Sequence, residues 1–149
     1  MTPTEPEAVV EAFLTRLAAR DLAGAMELVA ADVVYVNVGM PTLRGRARMA
    51  RAFAVFKRPS VGFEVCVHAI SATGPVVLTE RTDVLTWGRW CSQFWVAGRF
   101  DVHAGQITLW RDAFDYVDVL RAALRGLAGV AIPALRPALP APGAAPGRH

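Results

Sequence analysis

Hydrophobic residues recur at the spacing of a helix near the start of the chain and at the spacing of strands through its middle. Thr4-Glu5-Pro6-Glu7 has the pattern of a capping box, and the apolar residues after it recur at helical spacing, which predicts a first amphipathic helix. Asp21 can cap a second, shorter helix, and a third is predicted over residues 46–56. The apolar face of the first helix comprises Val9, Val10, Phe13, Leu14 and Leu17.

The middle of the chain is rich in β-branched and aromatic residues, in segments that short Gly, Ala or Pro turns separate. Together with residues 33–38, these segments predict five or six strands. Asp115 with Asp118 can start a last helix, after which prolines exclude regular structure. We therefore expect one domain over residues 1–135 and a Pro/Ala-rich mobile tail over residues 136–149. The other strand segments are 61–70, 76–87, 90–102 and 106–114.

Helices first and consecutive strands afterwards favour an α+β fold, in which helices cover one face of a curved, antiparallel-rich sheet. With 149 residues and 54% hydrophobic content, the chain can bury one sizeable core but has no room for two ordinary domains. A curved sheet of this kind can also enclose a pocket. The order of elements therefore predicts a single domain with an internal cavity.

Composition and charge exclude several classes of function. The net charge of +3 comes from scattered arginines rather than a basic run, so nucleic acid is not expected as a partner. No apolar run reaches the ~20 residues of a bilayer span and the N-terminus lacks a secretory signal, so we expect no membrane insertion and a cytoplasmic location. Cys66 and Cys91 lie in separate predicted strands, which favours buried thiols over a metal site or a disulfide. No Gly-rich loop indicates nucleotide binding.

Polar residues within the predicted strands are the candidates for chemistry, because alternate side chains of a strand share a face. Tyr35 and Asn37 project from one side of their strand, and Arg81 and Asp83 from one side of theirs. Each pair also has an ordinary structural interpretation. Tyr35 and Asn37 can be residues at a strand end, and an Arg-x-Asp pair is usually a salt bridge at a sheet edge.

Asp112 lies on the same predicted face as Trp110 and Phe114, which places a carboxylate among large apolar groups. Burying Asp83 and Asp112 alone would cost several kcal/mol each. The guanidinium of Arg81 carries five donors in a planar fork and could bridge both carboxyl groups at a fixed separation. If Asp112 lies instead at the surface, a helix cap is its alternative role.

The sequence blocks that contain these polar residues, taken in their order along the chain, resemble the limonene-1,2-epoxide hydrolase family. The resemblance covers nearly the whole chain, from about residue 7 to residue 130. The resemblance implies a cone-shaped, curved, mixed β-sheet of five to six strands with three to four helices packed on its concave face. It places the chain in the nuclear-transport-factor-like or SnoaL-like superfamily and implies a homodimer formed through the sheet. The blocks are Tyr35-Val36-Asn37, Glu80-Arg81-Thr82-Asp83-Val84-Leu85, and Gly105-Gln106-Ile107-Thr108-Leu109-Trp110-Arg111-Asp112-Ala113-Phe114-Asp115.

The same resemblance implies the residues of a catalytic site. The Asp-Arg-Asp triad of the family falls on Asp83, Arg81 and Asp112, and its two water-orienting residues fall on Tyr35 and Asn37. The resemblance makes Asp112 the general base on a water molecule and Asp83 the general acid on the epoxide oxygen, in one concerted step without an enzyme ester. No metal or other cofactor is expected, since ring strain belongs to the substrate.

Apolar walls should surround this cluster, because a dry site raises the pKa of the acid. A small lipophilic epoxide is the implied partner. Ala113 stands where several relatives carry an aromatic residue, which leaves the shape of the pocket open. The candidate wall residues, each of which is also a plausible core residue, are Leu85, Phe94, Val96, Trp110 and Phe114.

Other activities use the same kind of fold. An epoxide-opening cyclase would need a similar acid and base with a substrate hydroxyl as nucleophile, and the water holders Tyr35 and Asn37 favour hydrolysis over it. A ketosteroid-isomerase-like enzyme or polyketide cyclase does not need a carboxyl pair bridged by Arg81. A non-catalytic small-molecule binding protein would tolerate the loss of either carboxylate.

Overall fold

The computed structural model describes residues 4–140, which form a six-stranded sheet, four α-helices and two short 3₁₀ helices. The α-helices are α1 (Pro6–Ala18), α2 (Leu22–Glu27), α3 (Arg46–Phe53) and α4 (Tyr116–Ala131). The strands are β1 (Val29–Asn37), β2 (Leu43–Arg44), β3 (Val61–Thr73), β4 (Val76–Trp87), β5 (Trp90–His103) and β6 (Gln106–Ala113). The 3₁₀ helices are Ala54–Lys57 and Pro133–Leu135.

The sheet is mixed and has the strand order β2-β1-β6-β5-β4-β3. The pair β1 and β6 is parallel, and every other neighbouring pair is antiparallel. Sequential hairpins join β3 to β4, β4 to β5 and β5 to β6, which is why that half of the sheet is antiparallel. The expected α+β fold with a curved mixed sheet and covering helices is confirmed.

Helix α1 packs on the inward face of the sheet through its predicted apolar residues, all of which are buried. The ring of Phe13 lies 5.1 Å from that of Trp110 and 6.4 Å from that of Phe100, both in edge-on geometry. Phe100 and Trp110 themselves stack at 5.5 Å across β5 and β6. These aromatic contacts form the centre of the core and fix which face of the sheet turns inward.

Helix α4 covers the edge of β5 that β6 is too short to reach, because pairing between the two strands starts at Ala97 and Ala113. The backbone N–H of Trp95 donates to Asp118 Oδ2 at 3.5 Å, and Trp90 Nε1 donates to the carbonyl of Ala123 at 3.1 Å. The helix therefore supplies partners to a strand edge that would otherwise face solvent, and its inner side closes a cavity above the sheet.

The predicted capping box at Thr4-Glu5-Pro6-Glu7 is wrong. Helix α1 begins with Pro6 at its first turn and Glu5 as N-cap, without a side-chain capping bond. Proline lacks an N–H, so fewer donors need a cap at this end. The carboxylate of Glu7 instead accepts the backbone N–H of Ala72 at 2.7 Å and ties α1 to β3.

Other boundaries differ from prediction mainly at the ends of elements. Strand β1 begins at Val29 rather than at residue 33, and the third helix ends at Phe53 before a 3₁₀ turn. The caps at Asp21 and Asp115 are confirmed, since each accepts a backbone N–H of its helix. Most of the predicted tail, residues 141–149, lies outside the described residues, and Pro133–Leu135 forms a 3₁₀ turn where no regular structure was expected.

Between residues 4 and 140, no helix has the length and apolar content to cross a bilayer.

Candidate active site

A cavity of about 360 Å³ lies between the inward face of the sheet and the helices. It takes in all five predicted wall residues and four of the five predicted catalytic residues; Arg81 lies behind the two carboxyl groups. Its remaining lining is mostly aromatic and aliphatic. The lining residues are Leu17, Tyr35, Asn37, Met40, Phe53, Phe56, Phe63, Asp83, Leu85, Trp90, Ser92, Phe94, Val96, Trp110, Asp112, Phe114, Tyr116, Val119 and Ala123.

The guanidinium of Arg81 bridges two carboxyl groups in the floor of this cavity. Arg81 Nε and Nη2 donate to Asp83 at 2.9 and 3.2 Å, and Nη2 also donates to Asp112 Oδ2 at 2.5 Å. Arg81 is 0% exposed, Asp83 6% and Asp112 4%. The three residues that were predicted to meet are therefore in direct contact, shielded from bulk solvent.

Strand register explains how residues 31 positions apart come into contact. Asp112 on β6 and Thr79 on β4 both pair with Gly98 on β5. Arg81 lies two residues beyond Thr79 on the same face, so its side chain reaches Asp112 by crossing β5 above Gly98.

Two residues that the sequence analysis missed hold the guanidinium in place. Thr79 is buried, and its hydroxyl accepts a hydrogen bond from Arg81 Nη1 at 3.3 Å. A Cβ on Gly98 would overlap Nη1 of Arg81 and lie 2.6 Å from Thr79 Oγ1. An isolated glycine inside a strand is a known signal of close approach, and Ala97-Gly98-Arg99 carried that signal in the sequence.

The environment of the two carboxyl groups is not symmetric. Burial raises the pKa of both, and Arg81 opposes that rise by favouring the charged forms. The negative charge of Asp112 raises the pKa of Asp83 further. Trp110 Nε1 donates to Asp112 Oδ1 at 2.7 Å, which lowers the pKa of Asp112 by stabilising its carboxylate. The two carboxyl groups therefore differ in that the indole N–H of Trp110 stabilises the charged form of Asp112 and not that of Asp83.

Tyr35 and Asn37 lie beside Asp112, because the parallel register of β1 and β6 pairs Asn37 with Asp112 and Tyr35 with Trp110. Asn37 Nδ2 donates to the hydroxyl of Tyr35 at 2.9 Å. Burial, followed by the charge of Asp112, raises the pKa of Tyr35 to about 12, so its hydroxyl keeps its proton. The pair presents one O–H donor and one amide oxygen acceptor next to the carboxylate.

A second Arg-x-Asp pair shows what burial adds. Arg99 Nε donates to Asp101 Oδ1 at 2.8 Å on β5, with the same spacing as Arg81 and Asp83. These side chains are 37% and 22% exposed, on the strand face opposite Phe100. Arg99 and Asp101 form the ordinary surface salt bridge that the Arg-x-Asp pattern usually indicates.

Metal-ligating side chains do not cluster in the part of the chain that the structure describes, where no three His, Cys, Asp or Glu residues are grouped as ligands. The chemistry that the cavity can perform with its own groups is proton transfer. It has two buried carboxyl groups and two neutral groups that can orient a small polar molecule.

The chain is similar to several known proteins. Residues 4–125 match the family described as limonene-1,2-epoxide hydrolase catalytic domain. The chain is 45% identical over 147 residues to epoxide hydrolase EphG of Mycobacterium tuberculosis, covering 93% of this chain and 98% of that protein. It is similar to the structure of an M. tuberculosis LEH-like epoxide hydrolase, with 45% identity, a TM-score of 0.86, and coverage of 91% of this chain and 96% of the other.

A more distant similarity concerns the fold alone. An NTF2-like protein from Cytophaga hutchinsonii superposes with a TM-score of 0.66 at 17% identity, covering 80% of this chain and 97% of the other. At that identity the two chains share an architecture, and the side chains in the cavity must decide the chemistry.

Gly98→Ala is expected to push the guanidinium of Arg81 away from Thr79 and Asp112. Overpacking of this kind should lower the free energy of unfolding by about 1–3 kcal/mol. Urea unfolding measures the loss, and a crystal structure of the variant shows the displaced side chain. Ala97→Ser is the matched control, because it also adds one heavy atom but on the opposite face of β5. A Gly98→Ala variant with wild-type stability and an unmoved Arg81 would contradict the close approach.

Proposed function

The chain belongs to the limonene-1,2-epoxide hydrolase family and is an epoxide hydrolase, and from that premise we propose how its buried cluster opens the ring. Water adds to a lipophilic epoxide in one concerted step and gives a vicinal diol. The observation that carries the proposal is the contact of Arg81 with two buried carboxyl groups whose environments differ. One of them serves as base and the other as acid.

Asp112 is the general base, and Tyr35 and Asn37 orient the attacking water. Asn37 Nδ2 is engaged by the Tyr35 oxygen, which leaves Asn37 Oδ1 as an acceptor and the Tyr35 O–H as a donor. A water molecule that donates to Asn37 Oδ1 and Asp112 and accepts from Tyr35 keeps one lone pair available. That lone pair attacks the ring carbon while Asp112 takes the proton.

Asp83 is the general acid that protonates the departing epoxide oxygen. Burial and the charge of Asp112 both raise its pKa, which supports its protonated state before reaction. As the carbon–oxygen bond breaks, Asp83 gives its proton to that oxygen and becomes charged. Asp112 has by then become neutral, so the negative charge moves from one partner of Arg81 to the other.

The enzyme is reset when a proton returns from Asp112 to Asp83 after the diol leaves. Arg81 Nη2 donates to both carboxyl groups, so it can hold either one in its charged form. The net charge of the three side chains is the same before and after the reaction. The buried cluster therefore needs no counterion at any stage of the cycle.

The apolar walls support a lipophilic substrate. Phe94 and Phe114 contact each other with ring centroids 6.1 Å apart, and Leu85 and Val96 line the same cavity. Trp110 takes part in two ways, because its ring forms wall and its N–H fixes Asp112. Such walls favour a hydrocarbon skeleton and exclude competing water from the carboxyl groups.

The homodimer and the cytoplasmic location that the sequence implied stay predictions, as do the mobile tail and the boundary at residue 135. An apolar surface on α4, and not on the sheet, supports the association of two copies. Four aliphatic side chains form one exposed stripe along α4, and each is more than half exposed in the single chain. They are Val117, Leu120, Leu124 and Leu127.

Asp112→Asn is expected to retain the fold and to lower diol formation by at least 10²-fold, since general base assistance is worth roughly 10² to 10⁴. Gas chromatography of diols from a panel of lipophilic epoxides measures the rate. Asp101→Asn is the matched control, because it removes the carboxylate of the exposed Arg-x-Asp pair and should leave turnover unchanged. Turnover by Asp112→Asn at the wild-type rate would contradict the role of Asp112.

A single turnover in ¹⁸O-labelled water tests whether water attacks the ring directly. With enzyme in excess over epoxide, the diol should carry one labelled oxygen and the protein carboxyl groups none, because no ester with the enzyme forms. Mass spectrometry of the diol and of the peptides containing Asp83 and Asp112 measures both. Label in a carboxyl group, with unlabelled oxygen in the first diol formed, would reject the one-step mechanism.

The raised pKa of Asp83 makes stability depend on pH in a defined direction. A carboxyl group whose pKa is raised on folding contributes stability that is complete below its unfolded pKa, about 3.9, and is lost as pH rises through the folded value. Asp83→Asn replaces the carboxyl group with an amide, which is uncharged at every pH as the protonated acid is. Its free energy of unfolding relative to the wild-type protein should therefore increase as pH rises through that window, as urea unfolding at several pH values would show.

Asp101→Asn is again the control for this pH series, since it changes a partly exposed carboxylate. If Asp83→Asn were destabilised relative to the wild-type protein by the same amount at every pH, Asp83 would not be a protonated acid in the folded protein.

A further inference from the structure

Ser92 places a hydroxyl group in the cavity that the proposed mechanism does not use. It lies on the inward face of β5, lines the cavity and is only 2% exposed. Within residues 4–140, the structure gives its side chain no hydrogen-bond partner, and its oxygen is not among the sealed, unbonded buried atoms. A hydroxyl that is withdrawn from bulk water but open to a cavity is positioned to bond a ligand.

We infer that Ser92 is a substrate-binding residue that hydrogen-bonds a second, neutral oxygen of the epoxide substrate. The inference rests on the proposed function, because it assumes that the epoxide ring occupies the space between Asp83 and Asp112. It goes beyond that function by stating where along the substrate a polar atom lies and which chemical classes can supply it.

The other polar groups of the cavity wall already have partners. Trp90 Nε1 donates to the carbonyl of Ala123, Trp110 Nε1 donates to Asp112, and the Tyr116 hydroxyl donates to the carbonyl of Val38. The remaining polar groups belong to the catalytic cluster. Ser92 is thus the one cavity group outside that cluster, among the described residues, with its full hydrogen-bonding capacity available.

Strand register sets the distance between this hydroxyl and the reacting ring. Asp83 pairs with Phe94, and Leu85 pairs with Ser92, so Ser92 lies one step farther along the same inward face toward the turn between β4 and β5. Two residues of a strand span ~7 Å. Leu85, Phe63 and other apolar side chains line this part of the cavity. The space between Asp83 and Asp112 begins beside Phe94 and extends past Val96, two and four residues from Ser92, so the matching substrate has an epoxide, an apolar skeleton, and an oxygen roughly 7–13 Å from the ring.

The charge of the cavity decides the class of that oxygen. No Lys, Arg or His between residues 4 and 140 lines the cavity, so a carboxylate or phosphate at Ser92 would be buried without a cation from this part of the chain. A serine hydroxyl both donates and accepts, and it can therefore bond an alcohol or a carbonyl oxygen. The fitting substrates are hydroxylated or keto epoxides rather than epoxides of charged acids.

Ser92→Ala tests the inference with two matched epoxides that differ only in one hydroxyl group roughly 7–13 Å from the ring. The wild-type enzyme should prefer the hydroxylated substrate. In Ser92→Ala, kcat/KM for that substrate should fall about three- to tenfold, mainly through a higher KM, because a neutral hydrogen bond that forms on binding is lost. The value for the deoxy substrate should stay the same or rise. Ser71→Ala, at an exposed position on β3, is the matched control and should change neither value.

The outcomes separate this inference from the proposed function. If the wild-type enzyme has the same kcat/KM for both epoxides and Ser92→Ala changes neither value, the role of Ser92 is refuted while the hydrolase activity stands. If Ser92→Ala lowers kcat/KM for both substrates by the same factor, or lowers the melting temperature along with the activity, Ser92 is structural and the inference is refuted. Absence of turnover of any epoxide by the wild-type enzyme would refute the proposed function itself.

Discussion

The guanidinium of Arg81 is fully buried and bonded to the carboxyl groups of both Asp83 and Asp112. An arginine stays charged even when it is buried, so the protein must supply one negative charge beside it. Two carboxylates would supply one charge too many, and burial raises the pKa of both. The proposed mechanism therefore assigns the cluster one protonated carboxyl group and one carboxylate, which makes it neutral. The protonation state that keeps the buried cluster neutral is also the one that the proposed acid–base chemistry needs.

The strand order then separates the proposed acid, Asp83, from the proposed base, Asp112. Asp83 lies on β4 and Asp112 on β6, with β5 between them, and their partners on β5, Phe94 and Gly98, are four residues apart. Gly98 and Val96 of β5 lie in the gap, and the lack of a side chain at Gly98 lets the guanidinium cross it. In the proposed mechanism, a small ring above this gap meets Asp83 on one side and the attacking water beside Asp112 on the other. Epoxide opening requires that placement.

Much of this arrangement was predictable because it depends on local periodicity. Alternation along each strand placed Tyr35 with Asn37 and Arg81 with Asp83, and the caps at Asp21 and Asp115 were read from single residues. The start of α1 was not predictable from its motif. The capping-box pattern competes there with proline geometry, and Glu7 found a partner on β3, 65 residues away.

The local sequence pattern could not show how deeply a pair of side chains is buried. Arg99 and Asp101 match the spacing of Arg81 and Asp83, and both pairs form the same bond with nearly equal distances of 2.8 and 2.9 Å. One pair lies under aromatic side chains and the other faces out, and that difference arises from which strand face α1 covers. The free hydroxyl of Ser92 has the same origin, since only the assembled cavity leaves it without a partner. A strand sequence can thus state which side chains share a face, whereas the packing of distant elements decides whether that face does chemistry.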